Sequence, residues 1–148
     1  MSRKLFVVVV TVCAMALVTV TTFAQLNGSP VRADIPFNFT IRGTTLPAGE
    51  YEISRITDTG GLEIANVKDR HEHVMIETEP AVRANYKRGE LDFHRYGDTY
   101  FLYRIWTPGL ETGRQLPISH QEKELRKEAN AAAVASTAEP QTVVVAIY

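Results

Sequence analysis

The stretch LDFHRYGDTYFLYRIWTPG, residues 91–109, decides the fold. Its two arms, 91–95 and 99–107, flank Tyr96-Gly97-Asp98, an arrangement that is typical of a β-hairpin. The second arm is apolar on both faces, with Phe101, Tyr103 and Ile105 on one and Tyr100, Leu102 and Trp106 on the other. A strand of this kind is usually central and covered on both sides. We therefore predict that 99–107 lies in the middle of a sheet.

Short apolar segments bounded by turn residues continue along the chain. Ile35, Phe37, Phe39 and Ile41 alternate with polar residues and Pro36, which predicts a strand at a sheet edge or near a bulge. Further strands are predicted around Tyr51 and Ile53, Leu62 and Ile64, and Val74 and Ile76. The segments 79–88 and 107–117 are predicted as connections. The pattern indicates a mainly β domain, an antiparallel sandwich or short barrel of about seven to nine strands with one C-terminal helix.

The helix is predicted over 119–134. Ser119 and Glu122 have the spacing of a capping box, in which each side chain accepts a hydrogen bond from a backbone N–H of the other residue. Apolar residues then fall on one thin stripe, and Glu122 faces Arg126 one turn later. The stripe consists of Ile118, Leu125, Ala129 and Ala132. The final segment, 142–148, is rich in β-branched residues and predicts a last strand that returns to the sheet.

The N-terminus has the pattern of a secretory signal peptide. Arg3 and Lys4 precede an apolar run from residue 5 to 20, and small residues follow at the positions that a signal peptidase reads. We expect cleavage after Ala24, which places Gln25 first in a mature domain of residues 25–148. An uncleaved membrane anchor is the alternative, because the run is just long enough to cross a bilayer. The expected location is the periplasm or the medium, with no stable membrane span after cleavage.

The composition of residues 25–148 excludes several classes of function. Cys13 is the only cysteine and lies inside the apolar run, so the mature domain can form neither a disulfide nor a thiolate metal site. Loss of Arg3 and Lys4 leaves 14 basic against 17 acidic residues, a net charge of −3. Without a basic stripe, nucleic acid is not an expected partner. The oligomeric state is left open.

His94 is the first candidate site residue. Strand alternation places it on the same face as Asp92 and Tyr96, which could orient an imidazole for acid–base chemistry. Catalysis would also need a cleft. The favoured interpretation is that His94 has a structural role, with a cross-strand hydrogen bond to a carboxylate or hydroxyl. His71 and His73 could reach one zinc or copper ion from the same side of a strand. The third ligand would have to be His94, His120 or a carboxylate from elsewhere, and the preceding turn is charged. No cofactor is expected.

The hairpin aromatics are the second group of candidates. Tyr96, Tyr100 and Trp106, together with Tyr103, would suit a sugar or peptide if exposed, although a core position is the favoured interpretation. Arg114 stands between two turns, where its planar fork suits a carboxylate. We expect Arg114 to hold the loop against the sheet through a carboxylate, for which Asp98 and Glu111 are the candidates, or through backbone carbonyls. The alternative is that Arg114 binds an external ligand.

No nucleophile elbow, zinc-protease helix or phosphate loop occurs in the sequence. The favoured function is an exported, non-catalytic binding or structural module whose partner is a cell-envelope protein or polysaccharide. The alternative is a small hydrolase or metal-dependent enzyme that uses His94 or the His71/His73 pair.

Three segments of the sequence resemble those of a known protein family. IPFNFTIRGTTLPAGEYEI (35–53), FHRYGDTYFLYRIWTPG (93–109) and TGRQLPISHQEKELRKE (112–128) together resemble a family of uncharacterised secreted proteins of acidobacterial-type soil bacteria. The resemblance implies export from a Gram-negative cell and a small, mainly β domain. It implies no catalytic residue, since none is assigned in that family.

Overall fold

The computed structural model describes residues 29–83, 88–132 and 141–148, and within these ranges the protein is mainly β. The strands are β1 (Val31–Ile35), β2 (Phe39–Ile41), β3 (Thr44–Leu46), β4 (Gly49–Arg55), β5 (Gly61–Asn66), β6 (His73–Glu77), β7 (Glu79–Val82), β8 (Glu90–Tyr96), β9 (Thr99–Trp106), β10 (Thr112–Gln115) and β11 (Gln141–Ala146). The helix α1 (His120–Ala132) lies between β10 and β11 in the sequence. The predicted fold class, mainly β with one helix near the C-terminus, is confirmed.

The strands form two sheets. The first has the order β1-β4-β5-β6, with antiparallel neighbours throughout. The second has the order β11-β8-β9-β10-β7, and β2 joins it beside β9 through a parallel bridge between Thr40 and Phe101, with β3 antiparallel to β2. In the described part of the chain the sheets do not close into a barrel, so the sandwich alternative is the correct one. The β2–β9 bridge is an exception to the predicted antiparallel pairing.

Pro36 divides a segment that the sequence predicts as one strand. β1 ends at Ile35 and pairs with β4 in the first sheet, whereas β2 begins at Phe39 and belongs to the second. Pro36 is exposed at this crossover and belongs to neither strand. Its lack of a backbone N–H therefore removes no hydrogen bond from either sheet. The proline therefore marks a change of sheet, a stronger effect than the predicted edge or bulge.

Two segments predicted as connections contain strands. β7 lies within 79–88 and β10 within 107–117, and the two pair in antiparallel register from Glu79–Gln115 to Val82–Thr112. Their burial pattern is mostly exposed or half-buried: β7 is the edge strand of the second sheet, and β10 lies beside it and pairs with β9 over only two residues. Edge strands carry few apolar residues and therefore give a weak sequence pattern.

The sheets enclose one hydrophobic core. The Phe39 ring meets the rings of Tyr51 and Phe93 edge to face, with centroids 5.1 and 5.7 Å apart. Full burial of a large apolar side chain contributes about 1.5–3 kcal/mol. The core includes Ala33, Ile35, Phe39, Ile41, Leu46, Tyr51, Ile53, Leu62, Ile64, Ile76, Leu91, Phe93, Leu102, Ile105, Leu116 and Ile147.

The predicted final strand is present as β11, which pairs with β8 in antiparallel register. Beyond it, Ile147 forms a bridge with Ala33 of β1, and Arg32 and Tyr148 exchange two backbone hydrogen bonds of 3.0 Å. The C-terminal residues therefore link the second sheet to the edge of the first.

The helix begins one residue after its predicted start at 119, and residues 133–134 of the prediction lie outside the described residues. The predicted signal peptide, residues 1–24, also lies outside them. In the described ranges, no helix has the length and hydrophobicity needed to cross a membrane.

Candidate functional site

A β-bulge in the β8–β9 hairpin determines which side chains form the candidate site. Phe93 pairs with Leu102 but Asp92 pairs with Arg104, so Tyr103 is an extra residue in β9. The predicted alternation along β9 is therefore wrong beyond the bulge. Leu102 and Ile105 face the core between the sheets. Arg104 and Trp106 lie on the outer face of the second sheet, with Asp92 and His94.

His94 is bound to the helix. Its Nδ1 lies 2.6 Å from Oε1 of Glu122, with Nδ1–H as the donor, and the His94 and Glu122 side chains are 13 and 5% exposed. The imidazole also stacks on the Tyr103 ring, with centroids 4.0 Å apart. The histidine thus has the carboxylate bond of the favoured interpretation, although its partner comes from α1 and is not Asp92.

The same contact changes the helix cap. The backbone N–H of Glu122 donates to Oγ of Ser119 at 3.1 Å, which is the serine half of the predicted capping box. The Glu122 carboxylate instead crosses to His94. A buried carboxylate needs a hydrogen-bonding partner, so this bond both satisfies Glu122 and fixes α1 on the outer face of the sheet.

Tyr96 completes this cluster. Its ring meets Phe101 edge to face at a centroid distance of 5.9 Å. Burial, followed by the negative charge of Glu122, raises the pKa of the Tyr96 phenol above its usual value. Because a neutral phenol can donate a hydrogen bond to a carboxylate, this environment suits a second donor for Glu122. Tyr96, His94 and Tyr103 are therefore brought together by the bulge and the helix.

Trp106 lies in a second polar–aromatic cluster on the outer face. Its Nε1–H donates to Oδ2 of Asp92 at 2.7 Å, and the residue is only 4% exposed. The guanidinium groups of Arg83 and Arg104 lie 4.7 and 5.9 Å from the indole centroid. Arg83 is held by Glu90 at 2.8 Å, which leaves little of the indole open to a ligand.

Tyr100 belongs to the core side of the sheet. Its ring stacks on Phe37 at a centroid distance of 4.0 Å, and both rings pack against the core between the sheets. Tyr100 and Trp106, predicted as alternatives between core and ligand platform, therefore occupy packed positions. They do not share a face with each other, because the bulge separates them.

The two upstream histidines lie apart from both clusters. His71 is exposed in the turn before β6, and His73 is exposed at the start of that strand, with Nδ1 3.0 Å from the Arg70 carbonyl oxygen. Among the described residues, no three or more histidine, cysteine or acidic side chains converge as metal ligands.

Arg114 faces the inside of the sandwich. It pairs with Ile105 and lines an open cleft of about 320 Å³ at one end of the two sheets. In the described ranges, neither Asp98 nor Glu111 forms an ion pair with Arg114; Asp98 instead lies 3.9 Å from Arg95. The predicted internal carboxylate partners of Arg114 are therefore wrong.

The cleft also contains a residue that sequence reasoning did not select. Arg55 continues the inward face of β4 after Tyr51 and Ile53, and lines the cleft from the opposite sheet. Its position on the apolar face of a strand was the available signal. A second cavity, of about 450 Å³, lies near Glu90 and Val144, and His94 lines neither of the two.

Comparisons with protein-family models, curated proteins and solved structures found no match to this chain. The chemistry of the described residues is therefore the basis for function.

Proposed function

We propose that this protein is an exported, non-catalytic binding module of the periplasm or the extracellular medium, and that its ligand site is the cleft between the sheets. Cleavage after Ala24 would release a domain that begins at Gln25. The signal-peptide pattern and the family resemblance support export.

The non-catalytic assignment rests on the burial and the contacts of His94. A general acid or base must reach the substrate proton directly or through one water. The accessible part of His94 is small, one ring nitrogen is occupied by Glu122, and one ring face is covered by Tyr103. A histidine and a carboxylate can form a catalytic dyad, but here the pair joins a helix to a sheet. We therefore assign it a structural role.

The cleft supports a binding function because it combines apolar walls with a few polar groups. Ligand sites typically have this composition and volumes from about 300 Å³ upward. The walls come from both sheets and from the loop after β9, and include Val31, Ile53, Leu62, Ile105, Pro108 and Leu110. The outer clusters around His94 and Trp106 are already packed against the protein's own side chains, so the cleft is the better candidate.

Export is tested by expressing the full-length gene in a Gram-negative host and sequencing the N-terminus of the protein in each fraction. We expect soluble protein that begins with Gln25 in the periplasm or medium. An intact Met1 recovered with the membranes would contradict cleavage and favour the anchor alternative.

The metal-dependent alternative is tested on the same purified protein by elemental analysis. We expect no stoichiometric zinc or copper. Stoichiometric metal that disappears in a His71→Ala, His73→Ala double variant would favour the metal-dependent alternative and overturn the non-catalytic assignment.

A further inference from the structure

The cleft brings two arginines from different sheets to one apolar site. Arg55 is the third inward residue of β4 and pairs with Leu62 of β5, whereas Arg114 lies opposite Ile105 in the second sheet. Both side chains line the cleft, and both residues are half-buried. Inward positions of a sandwich normally carry apolar residues, so two cations at this end require an explanation.

Neither arginine is neutralised within the described residues. No ion pair or side-chain hydrogen bond joins Arg55 or Arg114 to a described partner, and the residues that line the cleft include no aspartate or glutamate. An arginine remains charged at any ordinary pH. Two cations beside apolar walls repel each other and lose solvation. A bound anion would relieve both effects.

The local backbone keeps Arg114 at this site. A guanidinium nitrogen of Arg114 lies 3.1 Å from the point that a Cβ on Gly60 would occupy, so the arginine reaches from the second sheet to the β4–β5 turn of the first. Gly60 has φ of +125°, and its carbonyl accepts a 2.6 Å bond from the buried Thr78 hydroxyl. The turn against which the arginine packs is thus held in place.

We propose that the cleft binds an organic anion, a carboxylate or phosphate head on a single apolar chain, with Arg55 and Arg114 holding the head group. This inference rests on the proposed binding function and names its ligand class. A volume of about 320 Å³ is at the lower end of the range for sites that bind small molecules, about 300–1,000 Å³. That size fits a medium-chain fatty acid or alkyl phosphate and is too small to enclose a two-chain phospholipid. Arginine suits both head groups because its fork donates two parallel hydrogen bonds.

The test is an NMR titration of the protein purified after full-length expression, with decanoate, decyl phosphate and decanol below their aggregation concentrations. The methyl signals of Ile53, Leu62 and Ile105 report on the cleft walls. We expect both anions to shift these signals and to bind at least about tenfold more tightly than decanol, because a charge-assisted contact is lost in the alcohol.

Arg55→Gln and Arg114→Gln should each weaken decanoate binding by about tenfold and leave decanol binding unchanged. Arg70→Gln is the matched control, since it removes the same charge from an exposed turn away from the cleft. Two arginine variants are used so that one that fails to fold does not end the test. Equal affinities for decanol and decanoate, or unchanged decanoate affinity in a folded variant, would overturn the anion assignment while the binding function stands. No shift with any of the three probes would overturn both.

Discussion

Replacing Glu122 by alanine should destabilise the protein, although the residue lies on a surface helix. In the native state its carboxylate is 5% exposed and accepts a 2.6 Å hydrogen bond from His94. A hydrogen bond that involves a charged group contributes about 1.5–3 kcal/mol, and alanine also leaves His94 Nδ1 without its partner. For a domain of this size, the loss corresponds to a fall in Tm of roughly 5–15 °C.

The assay is thermal and urea unfolding, followed by circular dichroism. Glu124→Ala is the matched control because Glu124 lies on the same helix but is exposed and pairs with Lys127; its Tm should equal that of the wild type. Glu122→Gln should fall between the two, since an amide oxygen can still accept from His94. Glu122→Ala, His94→Ala and the variant that carries both changes form a double-mutant cycle, and its coupling energy should exceed about 1 kcal/mol.

An unchanged Tm in Glu122→Ala would refute this reasoning, because it would mean that the contact does not hold α1 to the sheet. A coupling energy near zero would refute the pairwise contact even if both single variants were destabilised.

Three further predictions follow from buried contacts. Gly113→Ala should destabilise by about 1–3 kcal/mol, since the added Cβ would lie 2.7 Å from Trp106 Cζ3; urea unfolding measures this, and an unchanged midpoint would contradict it. Trp106→Phe should lower the free energy of unfolding by about 1–3 kcal/mol, because Asp92 loses the indole N–H that donates to it at 2.7 Å. A simultaneous Asp92→Leu should recover part of this stability. Burial raises the pKa of Tyr51 above 10.0, so the folded state holds this proton more tightly than the unfolded chain does. The Tyr51 contribution is therefore complete below pH 10 and is lost as the pH rises towards the folded pKa. Tyr51→Phe should show a smaller alkaline loss of stability than the wild type, and an identical loss would exclude Tyr51 as a source.

The sequence predicts the fold class because strand periodicity and turn residues are local signals. The hairpin 91–107 and the final strand carry many apolar or β-branched residues, so burial and pattern agree. The pattern does not reveal β7 and β10 because both strands bury few side chains, and nothing in Glu79-Pro80 or in the glycine of β10 indicates a ladder. The change of sheet at Pro36 needs long-range pairing, which a local pattern does not contain.

The candidate site is less predictable for the same reason. The bulge at Tyr103 breaks a two-residue period without any distinctive residue, and it alters the face of every later side chain. Glu122 fits a local capping box equally well, so only the packing of α1 on β8 identifies His94 as its partner. The sequence places Arg55 on the apolar face of a strand. That Arg55 and Arg114 line the same cleft depends on how the two sheets stack, which the sequence pattern does not contain.

The bridge between Ala33 and Ile147 has a consequence for how the polypeptide acquires its structure. These residues are 114 positions apart, and their contact brings the two described ends of the chain side by side. Contacts at such separations form slowly because a long loop must close first. While the chain is still being synthesised, the outer edge of β1 lacks its partner, residues 147–148. Removal of these residues would leave the same edge exposed as a template for association with other chains.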